Sequence, residues 1–431
     1  MKKDYSVTVV RHRTRILVVL TLVFVVNYVD RQILGLLLPL IQKDFELSDT
    51  ALGLLSGTVF AVFYGLVGLP LAVLADRINR RNIIAASLAV FSTMTVLSGF
   101  ATQFWHLLLT RLGTGIGEAG TGPAANAIIS DLYPPEKRAS AMAFYFSGLN
   151  VGLLLAYFGG GWIAQHYGWR AAFFAAGIPG LALVAIVLLT VREPPRSTPS
   201  TPSEAAGRAN LLDTTRHLMR LPAFKWIALA GAMQSFGGYA YVYFLPTFLF
   251  NTHHLSTAEI GVAMALMSGI FGAAGTYVTG RLADRYGASD VRWQLYLPAI
   301  ALAFSAPFSV VLLLTSNLGL LFAAGTVTWL TSAAYLGPST ALVQRMTPSH
   351  MRAQSMALLF FIYNMIALGL GPLTVGFVSD LLKPALGPQS LRYALLIGTF
   401  TTLLASLFLL QASRQLRRSL RMAEAIAPAC G

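Results

Sequence analysis

Long apolar stretches separated by short polar turns occupy almost the whole chain. A helix needs about 20 mostly apolar residues to cross the hydrocarbon core of a membrane. Only 11% of the 431 residues are charged and 55% are hydrophobic, whereas a soluble domain carries about 25% charged residues. We therefore predict an all-α membrane protein with twelve transmembrane helices. The predicted spans are 16–41, 50–75, 82–101, 106–130, 139–164, 171–191, 224–250, 257–281, 293–315, 318–344, 353–380 and 391–412.

The distribution of basic residues predicts the orientation of these spans. If the N-terminus is cytoplasmic, most of the 31 Lys and Arg residues fall in cytoplasmic turns and tails, as the positive-inside rule requires. The net charge of +14 therefore reflects membrane topology, and we expect no nucleic-acid partner. Both termini are predicted to be cytoplasmic. The outer loops hold Lys43, Arg170, Lys383 and Arg392.

One long polar break, 192–222, divides the chain into two halves that share repeated motifs. Leu-Ala-Asp-Arg occurs at 74–77 and again at 282–285. Such a repeat predicts two parallel six-helix bundles with substrate held between them. We expect bundles over 1–191 and 223–413, a cytoplasmic linker with a short surface helix within 209–221, and a cytoplasmic tail over 414–431.

The repeated loop resembles the signature of the major facilitator superfamily. Asp-Arg-Ile-Asn-Arg-Arg at 76–81 matches most of it, although Ala72 and Asn79 stand where glycines are usual. The second copy, Gly-Arg-Leu-Ala-Asp-Arg-Tyr-Gly at 280–287, keeps both glycines. Arg-Leu-Gly-Thr-Gly-Ile-Gly-Glu-Ala at 111–119 is similar to the Arg/Gly pattern of proton-coupled members. The resemblance covers essentially the whole chain.

Within that superfamily, two further motifs are similar to the spinster branch. They are Asn-Tyr-Val-Asp-Arg at 27–31 and Gly-Ile-Gly-Glu-Ala-Gly at 115–120. Animal members of the branch export sphingosine-1-phosphate or move lysophospholipids, and the resemblance implies a proton-driven bacterial homologue in an inner membrane. It also implies functional roles for Asp30, Arg31, Arg111 and Glu118.

Two polar stripes in the first half carry these charged residues. Residues three and four apart share a helix face, so Asn27 lies on one face with Asp30 and Arg31, and Arg111 lies on one face with Glu118. Ionisable groups at membrane depth cost roughly 2.5–3.5 kcal/mol each, which favours a functional role. We predict that Asp30 is the main proton carrier and that Glu118 couples it to the cytoplasmic side. The alternative is a static ion pair between helices, and an arginine near a helix end also snorkels outward.

The second half offers aromatic and hydroxyl groups instead of buried charge. No Asp, Glu, Lys or Arg lies well inside its predicted spans. A charged wall facing an apolar, aromatic wall predicts an amphiphilic substrate. The alternative is that the aromatic residues form an interfacial belt. The predicted substrate-binding residues are Asn27, Tyr28, Arg31, Arg111, Tyr239, Tyr243, Trp329 and Tyr335.

The charged loop residues at the cytoplasmic helix ends predict a conformational gate. Charge pairs there would hold one state closed and break as the inside opens; the alternative is a role in topology and folding alone. The predicted gating residues are Asp76, Arg77, Arg138, Asp284, Arg285 and Arg352.

The function that these patterns favour is proton-coupled secondary transport of a lysophospholipid or sphingoid phosphate, by a monomer surrounded by membrane lipid. A facilitator or antiporter for hydrophobic organic anions or drugs is the runner-up, and a membrane sensor built on a transporter fold is the third possibility. An enzyme is not expected, because the spans show no catalytic constellation. We expect no cofactor and no metal site, and Cys430 is the single cysteine.

Overall fold

The computed structural model describes residues 2–75, 78–193, 211–348 and 351–426, and these residues form helices and turns without a β-strand. The prediction of an all-α protein is confirmed for this part of the chain. The α-helices are α1 Lys2–Phe45, α2 Asp49–Gly53, α3 Val59–Ala75, α4 Arg80–Gly99, α5 Phe104–Glu118, α6 Thr121–Leu132, α7 Pro135–Leu154, α8 Gly160–Thr190, α9 Leu211–Arg220, α10 Pro222–His253, α11 Thr257–Met264, α12 Gly272–Gly287, α13 Trp293–Leu314, α14 Leu318–Ser332, α15 Leu336–Arg345, α16 Arg352–Leu386 and α17 Ser390–Ile426.

Three π-helical segments follow directly on α-helices in the chain. They are Leu54–Thr58 after α2, Leu155–Gly159 after α7 and Ala265–Phe271 after α11. A short 3₁₀ turn, Gly387–Gln389, joins α16 to α17. π-Helical turns within α-helices occur frequently at functional sites, and here each one lies inside a predicted membrane span.

Eight helical stretches in the described ranges are long and apolar enough to cross a membrane. Two of these stretches, Glu136–Thr190 with 55 residues and Gln354–Ala423 with 70, are long enough for two crossings each. The predicted fourth span is divided into α5 and α6 by a turn after Glu118. Each piece is therefore shorter than a crossing. The count of twelve spans stays a prediction.

Gly168 marks a kink inside α8, between the predicted fifth and sixth spans. Its φ of 83° lies in the left-handed region, which glycine adopts without the steric cost that a Cβ imposes. The chain therefore turns between the predicted fifth and sixth spans at this residue.

The chain divides into two compact units. The first contains Met1–Leu47, Leu54–Thr198 and Leu249–Ala265. Its apolar core is built from α1, α4, α6, α7 and the last part of α8, and its largest fully buried side chains include Phe91 and Tyr145.

The second unit contains Ser48–Gly53, Pro199–Phe248 and Leu266–Gly431. Its core joins α9, α10, α13, α15, α16 and α17. The short helix α2 is held against α16 in this unit, because the Asp380 carboxylate accepts hydrogen bonds from the backbone N–H groups of Asp49 (3.0 Å) and Thr50 (2.7 Å).

The predicted short helix within 209–221 is confirmed as α9, Leu211–Arg220. It packs on the second unit: Leu218 is fully buried, Thr214 Oγ1 donates to Gln354 Oε1 at 2.6 Å, and the His217 ring lies 3.2 Å from the Met346 carbonyl oxygen. Residues 194–210 of the predicted linker 192–222 lie outside the described residues.

Close packing of α12 on α14 makes a direct test of this fold. A Cβ at Gly275 would overlap the backbone carbonyl of Leu330, whereas a Cβ at Gly280, on the same helix, meets nothing within 4 Å. We expect Gly275→Ala to lower the free energy of unfolding by about 2 kcal/mol through overpacking. Gly280→Ala should leave stability unchanged or raise it by up to about 1 kcal/mol through helix propensity. Thermal unfolding of both purified variants checks this, and equal stability of the two would contradict the packing.

Candidate functional site: paired charges in the first unit and a pocket in the second

Two ion pairs connect α1 to α5 in the interior of the first unit. Arg31 pairs with Glu118, and Arg111 pairs with Asp30. Asp30 and Arg31 are neighbours in sequence, while Arg111 and Glu118 are seven residues, or about two helical turns, apart. All four predicted residues are thus brought together, and each acid faces a base.

The two pairs differ in how tightly the carboxylate is held. Glu118 Oε2 accepts two hydrogen bonds from one guanidinium, from Arg31 Nη2 at 2.5 Å and from Arg31 Nε at 3.2 Å. Arg111 Nη2 lies 3.4 Å from Asp30 Oδ1, near the outer limit of a hydrogen bond. Glu118 therefore has a close contact of two hydrogen bonds with Arg31, whereas Asp30 has a single, longer contact with Arg111.

The carboxylates of both ion pairs are buried, which makes the loss of a partner energetically costly. The side chains of Asp30 and Glu118 are 1% and 0% exposed, and that of Arg111 is 3% exposed. A charge that loses its partner in such surroundings is not compensated by water, and breaking a buried pair is strongly destabilising.

Glycines on α5 explain why its charges reach α1. A Cβ at Gly115 would lie 2.8 Å from the Phe60 carbonyl oxygen of α3, and a Cβ at Gly117 would lie 2.7 Å from the Phe91 nitrogen of α4. Small residues let helices approach closely in membranes. Here they bring α5 into backbone contact with two neighbours while Arg111 and Glu118 point toward α1.

Aromatic rings surround the Arg31 guanidinium. Its central carbon lies 5.6 Å from the Tyr28 ring centroid, 5.0 Å from that of Phe60 and 5.3 Å from that of Tyr64. Cation–π attraction stabilises a charged guanidinium in a desolvated site. Phe60 and Tyr64 were not predicted from sequence, because aromatic residues on a membrane helix carry no distinctive spacing.

Thr95 on α4 is a further residue that the motif reasoning missed. Its hydroxyl oxygen lies 2.5 Å from Asp30 Oδ1, and the residue is fully buried. One sequence signal points to it: Ser92, Thr95 and Ser98 are spaced by three and form a hydroxyl stripe on one face of α4.

The second unit contains a cavity of about 220 Å³. Hydroxyls, aromatic rings and one amide line it, and no Asp, Glu, Lys or Arg is among its lining residues. Its walls come from α10, α13, the α14–α15 region and α17: Gln234, Ser235, Gly238, Tyr239, Tyr241, Val242, Ser305, Ser309, Thr328, Trp329, Ser332, Ala333, Tyr335, Leu336 and Thr402.

Three of the predicted substrate-binding residues, Tyr239, Trp329 and Tyr335, line this cavity. Tyr243 does not; it is 2% exposed and its ring stacks against that of Tyr239. Asn27 is buried in the first unit, one turn before Asp30 on α1.

Hydrogen bonds organise the cavity wall. Ser235 Oγ lies 2.7 Å from Tyr335 Oη, and Tyr241 Oη lies 3.1 Å from Thr399 Oγ1, which is in turn 2.8 Å from Ser309 Oγ. These contacts fix the aromatic rings of the wall. Gln234, Ser309 and Thr402 were not predicted, since they are ordinary polar residues on three separate helices.

The four predicted gating residues within the described ranges lie at helix ends, but their pairing stays a prediction. Asp76 and Arg77 lie outside the described residues. Within the described ranges, Arg138, Asp284, Arg285 and Arg352 are exposed, and the structure records no salt bridge between any two of them.

Other charges at these helix ends do form ion pairs. Arg80 Nη1 lies 2.5 Å from Asp131 Oδ2, and the Arg80 backbone N–H donates to Glu193. In the turn before α13, hydrogen bonds from the side chain and backbone of Arg292 lower the pKa of Asp290 to about 2.

No group of three or more His, Cys, Asp or Glu side chains in the described part of the chain converges as a metal site would require. The charged groups that the first unit brings together are two carboxyl groups, of Asp30 and Glu118, and two guanidinium groups, of Arg31 and Arg111. The second unit offers an uncharged, partly apolar binding cavity.

The fold and these sites define a membrane transporter, and comparison with known proteins agrees. The sequence pattern of the Major Facilitator Superfamily matches residues 20–313, and the chain belongs to this superfamily. An MFS-type efflux pump of Mycolicibacterium smegmatis is 35% identical over 88% of this chain and 87% of its own length. The chain is therefore an integral, multi-pass membrane transporter and not an enzyme.

Within the superfamily, the resemblance to the spinster branch is confirmed. Protein spinster homolog 1 of Xenopus tropicalis is 27% identical over 96% of this chain and 83% of its own length. The crystal structure of a bacterial homolog of the human lysosomal transporter Spinster, in an inward-facing and unoccupied conformation, superposes with a TM-score of 0.82. It is 29% identical in sequence, and the match covers 95% of this chain and 97% of that one.

The tight Arg31–Glu118 pair makes a prediction about stability. Arg31→Met should lower the free energy of unfolding by about 3 kcal/mol, because it leaves the Glu118 carboxylate buried without its cation. The double variant Arg31→Met/Glu118→Gln should recover at least half of this loss. Denaturation of the purified proteins measures both.

The exposed pair Arg216–Asp213 is the control. Arg216→Gln should change stability by no more than about 0.5 kcal/mol. Simple additivity of the Arg31 and Glu118 substitutions would contradict a direct pair.

Proposed function

We propose that the protein is a proton-coupled secondary transporter of an amphiphilic, lipid-like substrate of the lysophospholipid or sphingoid phosphate type, working by alternating access. Asp30 is the main proton carrier, Glu118 couples it to the cytoplasmic side, and Arg31 and Arg111 couple protonation to the polar head of the substrate. The observation that carries this proposal is the pair of buried, crossed ion pairs between α1 and α5.

Proton coupling requires a carboxyl group whose protonation state determines which anion the neighbouring arginine pairs with. When Asp30 gains a proton, Arg111 loses its only ionic partner at hydrogen-bonding distance among the described residues. A buried guanidinium remains charged and seeks an anion. An anionic head group supplies one, so binding of proton and substrate become linked.

The cavity of the second unit supports an apolar or weakly polar part of the substrate. Aromatic rings bury large areas at low cost in conformational entropy, and hydroxyl groups orient a ligand without demanding a charge. We assign Tyr239, Trp329 and Tyr335 to this part. Tyr243 stacks against the ring of Tyr239. Asn27 and Tyr28 are assigned to the polar part, beside Arg31.

Export of a hydrophobic organic anion or drug is the second candidate function. The 35% identity to an MFS-type efflux pump favours it, whereas similarity to a zebrafish sphingosine-1-phosphate transporter, 27% identical over 90% of this chain and 81% of its own length, favours a lipid. Competition between a lysophospholipid and a lipophilic drug for binding to the purified protein distinguishes the two.

The membrane arrangement that fits this function has twelve spans, both termini in the cytoplasm, and a location in a bacterial inner membrane. The bundles are 1–191 and 223–413, joined by the linker 192–222, and a monomer suffices for transport. Charge pairs among the predicted gating residues, Asp76, Arg77, Arg138, Asp284, Arg285 and Arg352, would open and close the cytoplasmic side.

Asp30→Asn tests proton coupling. The amide fills the same volume and cannot cycle through a carboxylate, so uptake driven by a pH gradient into proteoliposomes should fall at least tenfold, while exchange of substrate without a gradient continues. Asp44→Asn is the control, since Asp44 lies on the same helix but is exposed. Wild-type, pH-dependent uptake by Asp30→Asn would refute the assignment.

Trp329→Ala tests the cavity. Removing an indole from the wall should weaken binding of a lysophospholipid by about tenfold or more. Trp105→Ala, which removes an exposed indole of α5, should not change it. Titration calorimetry or ligand-dependent thermal stabilisation measures both, and equal affinity of the two variants would place the substrate elsewhere.

A further inference from the structure

The hydroxyl group of Thr95 has two possible hydrogen-bond acceptors within reach, and it can donate to only one of them at a time. Its hydroxyl oxygen lies 2.5 Å from Asp30 Oδ1 and 2.8 Å from the Phe91 carbonyl oxygen. A hydroxyl has one hydrogen and two lone pairs. Thr95 therefore donates either to the carboxyl group of Asp30 or to the backbone of its own helix.

The protonation state of Asp30 decides between these patterns. An ionised carboxylate only accepts hydrogen bonds, so the Thr95 hydroxyl must donate to it. A protonated carboxyl donates its own hydrogen to Thr95 Oγ1, and the Thr95 hydrogen then turns to the Phe91 carbonyl. Thr95 keeps its hydrogen in both patterns; the only proton that moves is the one that Asp30 takes from water and returns to water.

Among the hydrogen-bonding contacts of Asp30 in the described residues, the contact with Thr95 has the shortest distance. Arg111 Nη2 reaches the same Oδ1 at 3.4 Å. Asp30 Oδ2 is buried and has no hydrogen-bond partner among the described residues. Hydrogen bonds to an ionised group are about twice as strong as those between neutral groups. The hydroxyl of Thr95 therefore influences the equilibrium between the two protonation states of Asp30.

The ionisable groups around Asp30 come from several helices. Arg111 and Glu118 face it from α5, and Arg31 is its neighbour on α1. The tyrosines around Arg31 are Tyr28 on α1 and Tyr64 on α3, and Tyr145 on α7 interacts electrostatically with both of them. From α8 and α4, the side chains at the Arg111–Asp30 pair are Phe173 and Thr95, neither of which titrates.

Resting on the proposed function of Asp30, we propose that Thr95 is the positioning residue that sets the pH at which Asp30 exchanges its proton, through a hydroxyl that donates to the ionised carboxylate and accepts from the protonated one. The same switch links Asp30 to α4, because protonation adds a hydrogen bond to the Phe91 carbonyl of that helix.

The test compares Thr95→Val, which keeps the shape but removes the hydroxyl, with Thr95→Ser, which keeps the hydroxyl. The readout is the infrared band of protonated carboxyl groups, followed over pH in the purified protein and assigned to Asp30 by its absence in Asp30→Asn. Thr95→Val should shift the midpoint of this band by about one pH unit, which corresponds to loss of one hydrogen bond to a charged group. Thr95→Ser should keep the wild-type midpoint.

Thr93→Val is the matched control, because Thr93 lies on the same helix with its side chain exposed; it should leave the midpoint unchanged. Should Thr95→Val fail to fold, Thr95→Ala carries the same expectation without filling the site. A wild-type midpoint in folded Thr95→Val, or equal shifts in Thr95→Val and Thr95→Ser, would overturn the proposal.

The pH profile of transport separates this proposal from the function on which it rests. If Asp30→Asn abolishes gradient-driven uptake and Thr95→Val moves the pH of half-maximal uptake, both stand. If Asp30→Asn abolishes uptake and Thr95→Val keeps the wild-type profile, Thr95 is refuted and Asp30 stands. If Asp30→Asn transports with a wild-type pH profile, the proposed function itself fails.

Discussion

Charge pairing in an apolar interior is the constraint on which the first unit depends. Asp30, Arg31, Arg111 and Glu118 lie among packed helices, where an unpaired charge is far more costly than in water. Each acid faces a base of the other helix, so the four groups hold α1 and α5 in one register. In the proposed mechanism, neutralising one carboxyl group releases an arginine, so that the contact between the two helices responds to a single proton.

The two units offer complementary chemistry. The first holds all the buried Asp, Glu and Arg side chains that our proposal uses. The longer of its two ion-pair contacts is the one at Asp30, whose carboxyl group also contacts a hydroxyl of α4. The second holds an uncharged cavity whose aromatic rings are fixed by hydroxyl contacts. The proposed amphiphilic substrate has a charged head and an apolar body, which match the chemistry of the first and the second unit, respectively.

Much of this could be predicted from sequence because charge in an apolar span is rare enough to be informative. The spacing of Asp30, Arg31, Arg111 and Glu118 on two helices identified the charged site, and the long apolar runs identified the helices. The pairing of individual acids with individual bases could not be predicted, because it depends on close approach at Gly115 and Gly117. Thr95 was missed since hydroxyls are common in membrane helices, where they bond to their own backbone. The cavity was predicted only through its aromatic residues; its amide and hydroxyls come from helices far apart in sequence.

The most direct test of the central claim is to measure proton movement caused by the substrate itself. Purified protein is placed in proteoliposomes without a starting pH gradient, the membrane potential is clamped, and a lysophospholipid is added while a pH-sensitive dye reports the lumen. If the buried pairs link proton and substrate, the wild type moves protons as it moves lipid, and Asp30→Asn binds lipid without moving protons. Lipid movement without proton movement in the wild type would contradict the account.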